Sequence, residues 1–393
     1  MSDKKKYSAP VSICAAVLLA LYFGLCIFLY FKFMGWTEGA VYESDLPAHI
    51  SLAVDDGLIY SLISFIIIGL SKSGTLEILP VLLAMFAVLS VFFTAELLIE
   101  VSDKKIGQNA AILLALLLNI VMPCYIKGLS DGRYMGMHAS SIWHNSTYLM
   151  MKWLGLWTIL TYIKLEKNIS KKLTLKSYLF FVFILTVTTA AKPNFFLAVT
   201  PAMFVFLIID LIGKKAPFSR LLMYASSVIP SFAVMMLQNR ALFNAGAGGN
   251  GIVIEPGRAM TAHTGYLIPV SILSIAFPLM ILVLHIREIF KNRYMLFAWL
   301  CAGTGYMEYF LFSENGSRNL DANFSWGYAF TIILIFGISL VLWIDDLRKA
   351  KKGGNLIRNC YLALSGVVLA YHTYCGLLFF ARLCMGVSYM MWA

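Results

Sequence analysis

The sequence predicts an all-α membrane protein, a polytopic bundle of about eleven transmembrane helices with an interfacial helical region after the first span. Two observations lead to this fold class. The chain of 393 residues is 60% hydrophobic and only 13% charged, whereas globular proteins are about 25% charged. Its apolar residues also gather in repeated runs that approach the roughly 20 residues a helix needs to cross a bilayer. We therefore expect residues 1–393 to form a single integral membrane domain.

Eleven such apolar runs follow one another along the chain. They cover about 11–33, 76–99, 109–126, 146–163, 178–191, 194–212, 221–238, 266–285, 294–312, 324–344 and 359–380. Two of the connecting loops are long: 34–75, where we expect interfacial helices, and 239–265. The apolar part of 51–70 is short and follows Asp55-Asp56, so we place this segment on the membrane surface rather than across it.

The charges of the loops predict the orientation of the chain. With 51–70 on the surface, most of the 31 basic residues fall in loops on one side of the membrane. Cytoplasmic loops usually carry this excess of lysine and arginine. We therefore expect a multi-pass protein of the cell membrane with a cytoplasmic N-terminus and an extracytoplasmic C-terminus. The long loops 34–75 and 239–265 then lie outside.

The sequence does not favour binding of nucleic acid or binding of a metal ion by cysteines. A formal net charge of +11 would suit a nucleic-acid-binding protein, but here the basic residues lie in short loops between apolar segments rather than on one soluble face. We expect no nucleic-acid partner. The seven cysteines show no metal-binding spacing such as Cys-x-x-Cys, and we interpret them as packing residues.

The first outer loop carries the main functional signal, two acids and a histidine at the membrane edge. Glu43 and Asp45 precede Pro47, and proline is favoured in the first turn of a helix. Asp45 and His49 would then share one face of an interfacial helix. A carboxylate there could act as general base toward an acceptor hydroxyl, with His49 orienting it, binding phosphate or helping to hold a divalent cation. The alternative is a helix cap in a solvated acidic loop, and the sequence does not identify a cofactor.

Basic residues on the expected outer side could bind a phosphate or pyrophosphate group. They are Lys127, Arg133, Lys192, Arg258 and Arg318. We favour two of them. Lys192 is fixed at a turn by Pro193 and followed by Asn194, and Arg258 shares a polar loop with His263. Each cation could instead be an anchor that extends to the membrane surface.

A third motif, Trp-His-Asn-Ser-Thr-Tyr, begins at Trp143 and enters the fourth apolar run. His144 and Asn145 could point into a substrate cavity beside Asp45. Alternatively, the aromatic residues form an interfacial belt and Ser146 or Thr147 caps the helix. The sequence leaves both interpretations open.

The order of these features resembles the GT-C superfamily of membrane glycosyltransferases, which use polyprenyl-phosphate sugars. The first span is followed by an outer acidic pair, then by surface helices and many further spans. The stretches Asp45–His49, Trp143–Tyr148 and Ala191–Asn194 also look like those of uncharacterised bacterial membrane proteins related to this group. The resemblance implies that Glu43 or Asp45 is the catalytic base or a metal ligand. It also implies three partners: a polyprenyl-phosphate-linked sugar, membrane lipid, and an extracytoplasmic glycan or protein acceptor.

Two other functions stay open at this level. One is a transporter or flippase of lipid or polysaccharide, although such proteins usually place ionisable groups or broken helices near the membrane midplane. The expected spans carry mainly neutral residues at their centres. The other is a polymerase or ligase of surface polysaccharide, which would produce a longer glycan rather than add one sugar. The sequence identifies neither the sugar nor the acceptor.

Overall fold

The structure is a computed structural model that describes residues 9–35, 37, 40–129, 138–168, 174–244, 251–351 and 355–390. It is 75% helical with almost no sheet. The predicted all-α class is therefore confirmed. The first eight helices are α1 (Ala9–Met34), α2 (Leu46–Val54), α3 (Leu62–Lys72), α4 (Leu79–Val101), α5 (Gln108–Ile120), α6 (Ser146–Glu166), α7 (Leu175–Ala191) and α8 (Asn194–Ile212).

The second half of the chain adds eight further described helices and one short pair of strands. The helices are α9 (Phe218–Ser226), α10 (Ile229–Asn244), α11 (Arg258–Thr261), α12 (Leu267–Ser274), α13 (Ala276–His285), α14 (Arg293–Leu311), α15 (Ser325–Ala350) and α16 (Leu356–Cys384). The strands are β1 (Ile252–Ile254) and β2 (Phe312–Glu314). They pair antiparallel, with Val253 opposite Ser313, and so fasten the end of the 239–265 loop to the end of α14.

Six described helical segments are long and apolar enough to cross a membrane. They are Pro10–Met34, Leu76–Val101, Asn194–Ile212, Phe218–Phe243, Ser325–Ala350 and Leu356–Cys384. A seventh is possible if α12 and α13, which are bent by 78° at a short break, count as one span. The protein is thus a helical protein with six or seven potential membrane spans among its described residues. The expected count of about eleven is not confirmed.

Several apolar runs end or divide where the sequence did not indicate it. The run 109–126 forms a helix only to Ile120, and residues 121–126 are not helical although the first four are buried. Their backbone finds distant partners: the amide of Met122 donates to the carbonyl of His372 at 3.1 Å, and that of Cys124 donates to Leu273 at 3.0 Å. Non-helical backbone at membrane depth is tolerated when protein satisfies it in this way.

Helix α15 forms the centre of the bundle and is buried along most of its length. Small residues on neighbouring helices let it approach closely. A Cβ atom added at Gly155 of α6 would meet the ring of Phe330 at 2.7 Å, and one added at Gly305 of α14 would meet the backbone of Tyr328 at 2.9 Å. Small residues at helix interfaces allow this contact in membrane proteins. The N-terminal end of α15 is thereby held beside α6, α8 and α14.

The two ends of the bundle differ in character. At one end, Lys167 after α6 pairs with Glu100 of α4 at 2.7 Å, and Arg293 at the start of α14 pairs with Asp210 of α8 at 3.0 Å. At the other end lie α2, the first residues of α6, α8 and α15, and the β1–β2 pair. This second end contains most of the residues that the sequence marked as candidates.

Candidate functional site

The carboxylate of Asp45 lies at the centre of the site. Asp45 occupies the N-cap position of α2, yet its side chain makes no capping hydrogen bond; the hydroxyl of Ser44 accepts from the amide of Leu46 instead, at 3.1 Å. The Asp45 carboxylate accepts from the amide nitrogen of Asn145 at 2.8 Å and from the hydroxyl of Tyr389 at 3.3 Å. The helix-cap alternative therefore does not account for this carboxylate.

The side chain of Asn145 makes hydrogen bonds to the first turn of α6 and to Asp45 at the start of α2. Its Oδ1 accepts from the backbone amide of Tyr148 at 2.9 Å and from the hydroxyl of Thr147 at 2.7 Å, so Asn145, rather than Ser146 or Thr147, caps α6. Its Nδ2 donates to Asp45. An N-cap side chain commonly accepts from the amides of the first turn. Here the same side chain also ties α6 to the catalytic candidate on α2.

Two histidines flank Asp45. His49, one turn further along α2, lies 2.7 Å from the hydroxyl of Ser146 through its Nδ1. Burial lowers the pKa of His49 to about 4, although the negative charge of Asp45 acts to raise it. The ring is therefore neutral at pH 7. His144 stacks on Tyr389 with ring centroids 3.7 Å apart, and its Nε2 lies 3.8 Å from the Asp45 carboxylate.

The Asp45 carboxyl group is held in its ionised form. Burial opposes ionisation, but His144, His49, the hydrogen bond from Asn145 and the nearby charge of Lys192 outweigh it and lower the pKa of Asp45. Its side chain keeps 29% of its surface exposed. Asp45 can therefore accept a proton at neutral pH from a group that approaches from solvent.

Lys192 lies in the turn between α7 and α8, where the Lys192-Pro193 pair predicted a break. Its ammonium donates to the hydroxyl of Thr147 at 2.7 Å and lies 4.4 Å from the ring centroid of Trp326. Burial lowers the pKa of Lys192 to about 7, although the charge of Asp45 raises it. The chain Asp45, Asn145, Thr147 and Lys192 is thus a continuous line of hydrogen bonds.

A cavity of about 320 Å³ opens next to Lys192. Its polar wall consists of Thr147, Lys192, Asn194, Glu314, Arg318 and Asn323. Its apolar wall includes Leu197, Met235, Met236, Leu242, Phe243, Phe312, Phe324 and Trp326. The cavity lining therefore combines two basic side chains and one acid with a large set of apolar side chains. Asp45 does not line the wall but connects to it through Asn145 and Thr147.

An open apolar groove of about 610 Å³ lies next to this cavity, between α8 and α10. Leu197 and Met235 line both spaces. The groove is otherwise formed by Phe196, Thr200, Pro201, Phe204, Val228, Ile229 and Phe232. Helix α8, one of the potential membrane spans, forms one side of this groove.

Arg318 approaches the cavity from the segment that follows β2. Its guanidinium lies 3.1 Å from the carboxylate of Glu314 and 3.4 Å from that of Asp321. Burial raises the pKa of Glu314, while Arg318 acts in the opposite direction. Of the outer arginines named from the sequence, Arg318 lines the cavity together with Lys192.

Other sequence candidates lie away from this centre. Arg258 pairs with Glu255 at 2.6 Å on an exposed surface, and His263 bonds to the carbonyl of Leu320 at 2.7 Å; neither lines the cavity. Glu43 accepts a hydrogen bond from Ser388. Arg133 lies outside the described residues. Of the two cations favoured from the sequence, Lys192 lines the cavity and Arg258 does not.

The structure also adds residues that the sequence did not identify. Glu308 of α14 is buried and accepts a hydrogen bond from Asn194 at 2.7 Å. It sits so close behind Gly327 that a side chain there would collide with its carboxylate. An acid inside an expected span is itself a functional signal, and it could have been used. Tyr389 and Trp326 gave no comparable signal, because aromatic residues are frequent throughout this chain.

Among the described residues, no group of three or more histidine, cysteine, aspartate or glutamate side chains could hold a metal ion. Comparison with known proteins found no family model that matches the chain and no curated protein that matches it. The function must therefore be argued from the chemistry of the site.

Proposed function

We propose that the protein is a membrane glycosyltransferase that moves a sugar from a polyprenyl-phosphate donor to an extracytoplasmic acceptor. The observation that carries this proposal is the proximity of three features: an ionised carboxylate, a cavity lined by two basic side chains, and an apolar groove beside a potential membrane span. A lipid-linked sugar needs all three, because its chain is apolar, its phosphate is anionic, and its acceptor must lose a proton.

In this proposal the polyprenyl chain lies in the groove between α8 and α10. Its phosphate meets Lys192 and Arg318, which stabilise the negative charge that grows on the leaving group. Lys192 and Arg318 both line the cavity wall, and Leu197 and Met235 join that cavity to the groove. The proposal requires the sugar to extend from this phosphate toward Asp45, which is linked to the cavity wall through Asn145 and Thr147.

Asp45 is the general base of the proposed reaction. It takes the proton of an acceptor hydroxyl as that oxygen attacks the anomeric carbon, and the bond from this carbon to the phosphate oxygen breaks. The electron pair leaves with the lipid phosphate, and a single displacement inverts the configuration of the sugar. We assign the role to Asp45 rather than Glu43, since Glu43 is bonded to Ser388 whereas Asp45 lies on the line that reaches Lys192.

The test is Asp45→Asn in vesicles supplied with polyprenyl-phosphate sugars and candidate glycan acceptors. General base catalysis contributes about 10²- to 10⁴-fold to a rate, so we expect transfer to fall by at least about 100-fold. Asp55→Asn is the matched control, because Asp55 is exposed at the opposite end of α2. Near-normal transfer by Asp45→Asn, or an equal loss in Asp55→Asn, would contradict the assignment.

A second function, translocation of a lipid-linked sugar, is favoured by a different observation. The α12–α13 pair is bent by 78°, and residues 121–124 lie beside it as buried non-helical backbone. Transporters often contain such discontinuous helices. The same vesicles separate the two functions: translocation moves the labelled donor across the bilayer without a new glycosidic product, whereas transfer consumes the donor and labels the acceptor.

A further inference from the structure

A second and larger cavity, of about 760 Å³, lies at the end of the bundle opposite to Asp45. Helices α6, α14 and α15 extend between the Asp45 end of the bundle and this cavity. Helix α6 begins at Ser146 beside His49 and ends at Glu166, which lines this second cavity. Helix α14 starts in its wall with Arg293, and α15 contributes Val341 to Arg348 near its C-terminal end. The two cavities are therefore separate sites at opposite faces.

Part of the charge in this second cavity is already neutralised. Lys167 pairs with Glu100 at 2.7 Å and with Asp103 at 3.2 Å. Arg293 pairs with Glu166 and, at 3.0 Å, with Asp210. Lys215 also lies 3.5 Å from Asp210, and Asp345 pairs with Lys349 at 2.8 Å. Each of these ion pairs contains at least one residue that lines the cavity.

Three further cations line the same cavity and form no ion pair with any described residue: Lys105, Lys291 and Arg348. They come from three different segments, namely the turn after α4, the turn before α14 and the last turns of α15. All three are exposed. One acid of the wall, Glu288, is also exposed and lies 3.9 Å from His285, so the rim keeps an excess of positive charge.

Apolar side chains also line the cavity among these charged groups. Ile106, Val341 and Leu342 line it together with the side chain of Tyr294. Both α4 and α15 are potential membrane spans whose ends reach this point. Cations without ion-pair partners and apolar side chains in one cavity, at the ends of potential membrane helices, match a molecule that carries phosphate next to hydrocarbon. Basic pockets between membrane helices bind phospholipid headgroups.

We propose that this second cavity binds a phosphate-bearing anion through Lys105, Lys291 and Arg348. The ligand is either the headgroup of an anionic phospholipid or a soluble phosphate compound, and both present the same oxygen atoms to the three cations. The site is independent of Asp45 and of glycosyl transfer. It gives the face opposite the candidate site a binding function of its own.

The test compares a triple variant, Lys105→Gln, Lys291→Gln and Arg348→Gln, with the unaltered protein. The control triple, Lys176→Gln, Arg287→Gln and Lys351→Gln, removes the same charge from exposed residues that do not line the cavity. One arm measures, by native mass spectrometry, phosphatidylglycerol retained from mixtures with phosphatidylcholine. The other arm titrates inorganic pyrophosphate calorimetrically into the detergent-solubilised protein.

Each basic residue near an anionic lipid surface contributes roughly fivefold to binding, so we expect the first triple variant to lose about 100-fold in affinity and the control to keep nearly all of it. Loss in the lipid arm alone identifies a headgroup as the ligand, and loss in the pyrophosphate arm identifies a soluble phosphate. Equal losses in both triples, or binding by neither probe to the unaltered protein, would overturn the proposal.

Discussion

Asn145 illustrates how single residues join the parts of the site. The sequence offered two interpretations of the motif around it, a helix cap and a substrate contact, and the structure shows that the amide fulfils the first while binding Asp45. The oxygen and the nitrogen of its side-chain amide bind different partners, so capping α6 does not exclude binding Asp45. A replacement that preserved only the cap would leave the carboxylate without its strongest hydrogen-bond donor at 2.8 Å.

Lys192 gives the site a testable dependence on pH. Its pKa is lowered to about 7, so the ammonium is present below pH 7 and is lost as the pH rises through that value. A phosphodiester donor does not titrate in this range. We therefore expect the KM for the lipid-linked donor to rise by up to about tenfold per pH unit above pH 7. We expect kcat to fall with it, because the same ammonium stabilises the leaving phosphate.

Lys192→Arg provides the control for this pH profile, because a guanidinium remains charged throughout the range. The variant should keep a nearly constant KM from pH 6 to 9 even if its overall activity is lower. A rise of the same size in Lys192→Arg would show that another group controls donor binding.

At the scale of elements, the sequence predicted boundaries that depend on neighbouring residues and missed those that depend on distant ones. The end of α7 and the start of α8 are correct because Pro193 determines them locally. The end of α5 was wrong, since its continuation bonds to His372 and Leu273, far along the chain. The pairing of strands 252–254 and 312–314, which both contribute residues to the cavity wall, is likewise invisible in either segment alone.

Gly376 of α16 makes the close approach of this non-helical segment possible. A Cβ atom at Gly376 would collide with the carbonyl of Ile120, which belongs to the backbone and cannot rotate away. Overpacking of this kind costs about 1–3 kcal/mol. We expect Gly376→Ala to lower the thermal unfolding midpoint of the protein in detergent by several degrees, measured by the exposure of its buried cysteines to a fluorescent maleimide.

Gly24 of α1 is the matched position for this experiment. An added Cβ there meets nothing within 4 Å, and alanine favours helix over glycine, so Gly24→Ala should leave the midpoint unchanged or slightly higher. An equal decrease in both variants would mean that the contact between α16 and Ile120 does not limit stability.

For the whole molecule, composition was enough to predict a helical protein with membrane spans, but not their number. Helices α6 and α14 are long enough to cross a bilayer, at 21 and 19 residues, yet they are not among the six sufficiently apolar segments. Both carry polar side chains that other helices cover, such as Glu308. The length of an apolar run alone therefore does not show whether a helix inside a bundle crosses the membrane.

The predicted orientation places the Asp45 site and the second cavity on opposite sides of the membrane. Cysteine introduced at Asp56 should react with a membrane-impermeant maleimide added to intact cells, and cysteine introduced at Lys104 should react only after permeabilisation, in a background without the exposed native thiols of Cys14 and Cys360. Positive loops are retained in the cytoplasm, which is the physical reason for this expectation. The reverse labelling pattern would place the Asp45 site in the cytoplasm and exclude transfer to an external acceptor.

The bonds that hold residues 121–126 have a consequence for biosynthesis. Met122 and its partner His372 are separated by 250 positions, and a ribosome that adds about 5 to 20 residues per second needs roughly 12 to 50 s to bridge them. During that interval the amide of Met122 cannot form its hydrogen bond to the carbonyl of His372. Closure of this part of the fold is consequently postponed until the last helix has been delivered to the bilayer.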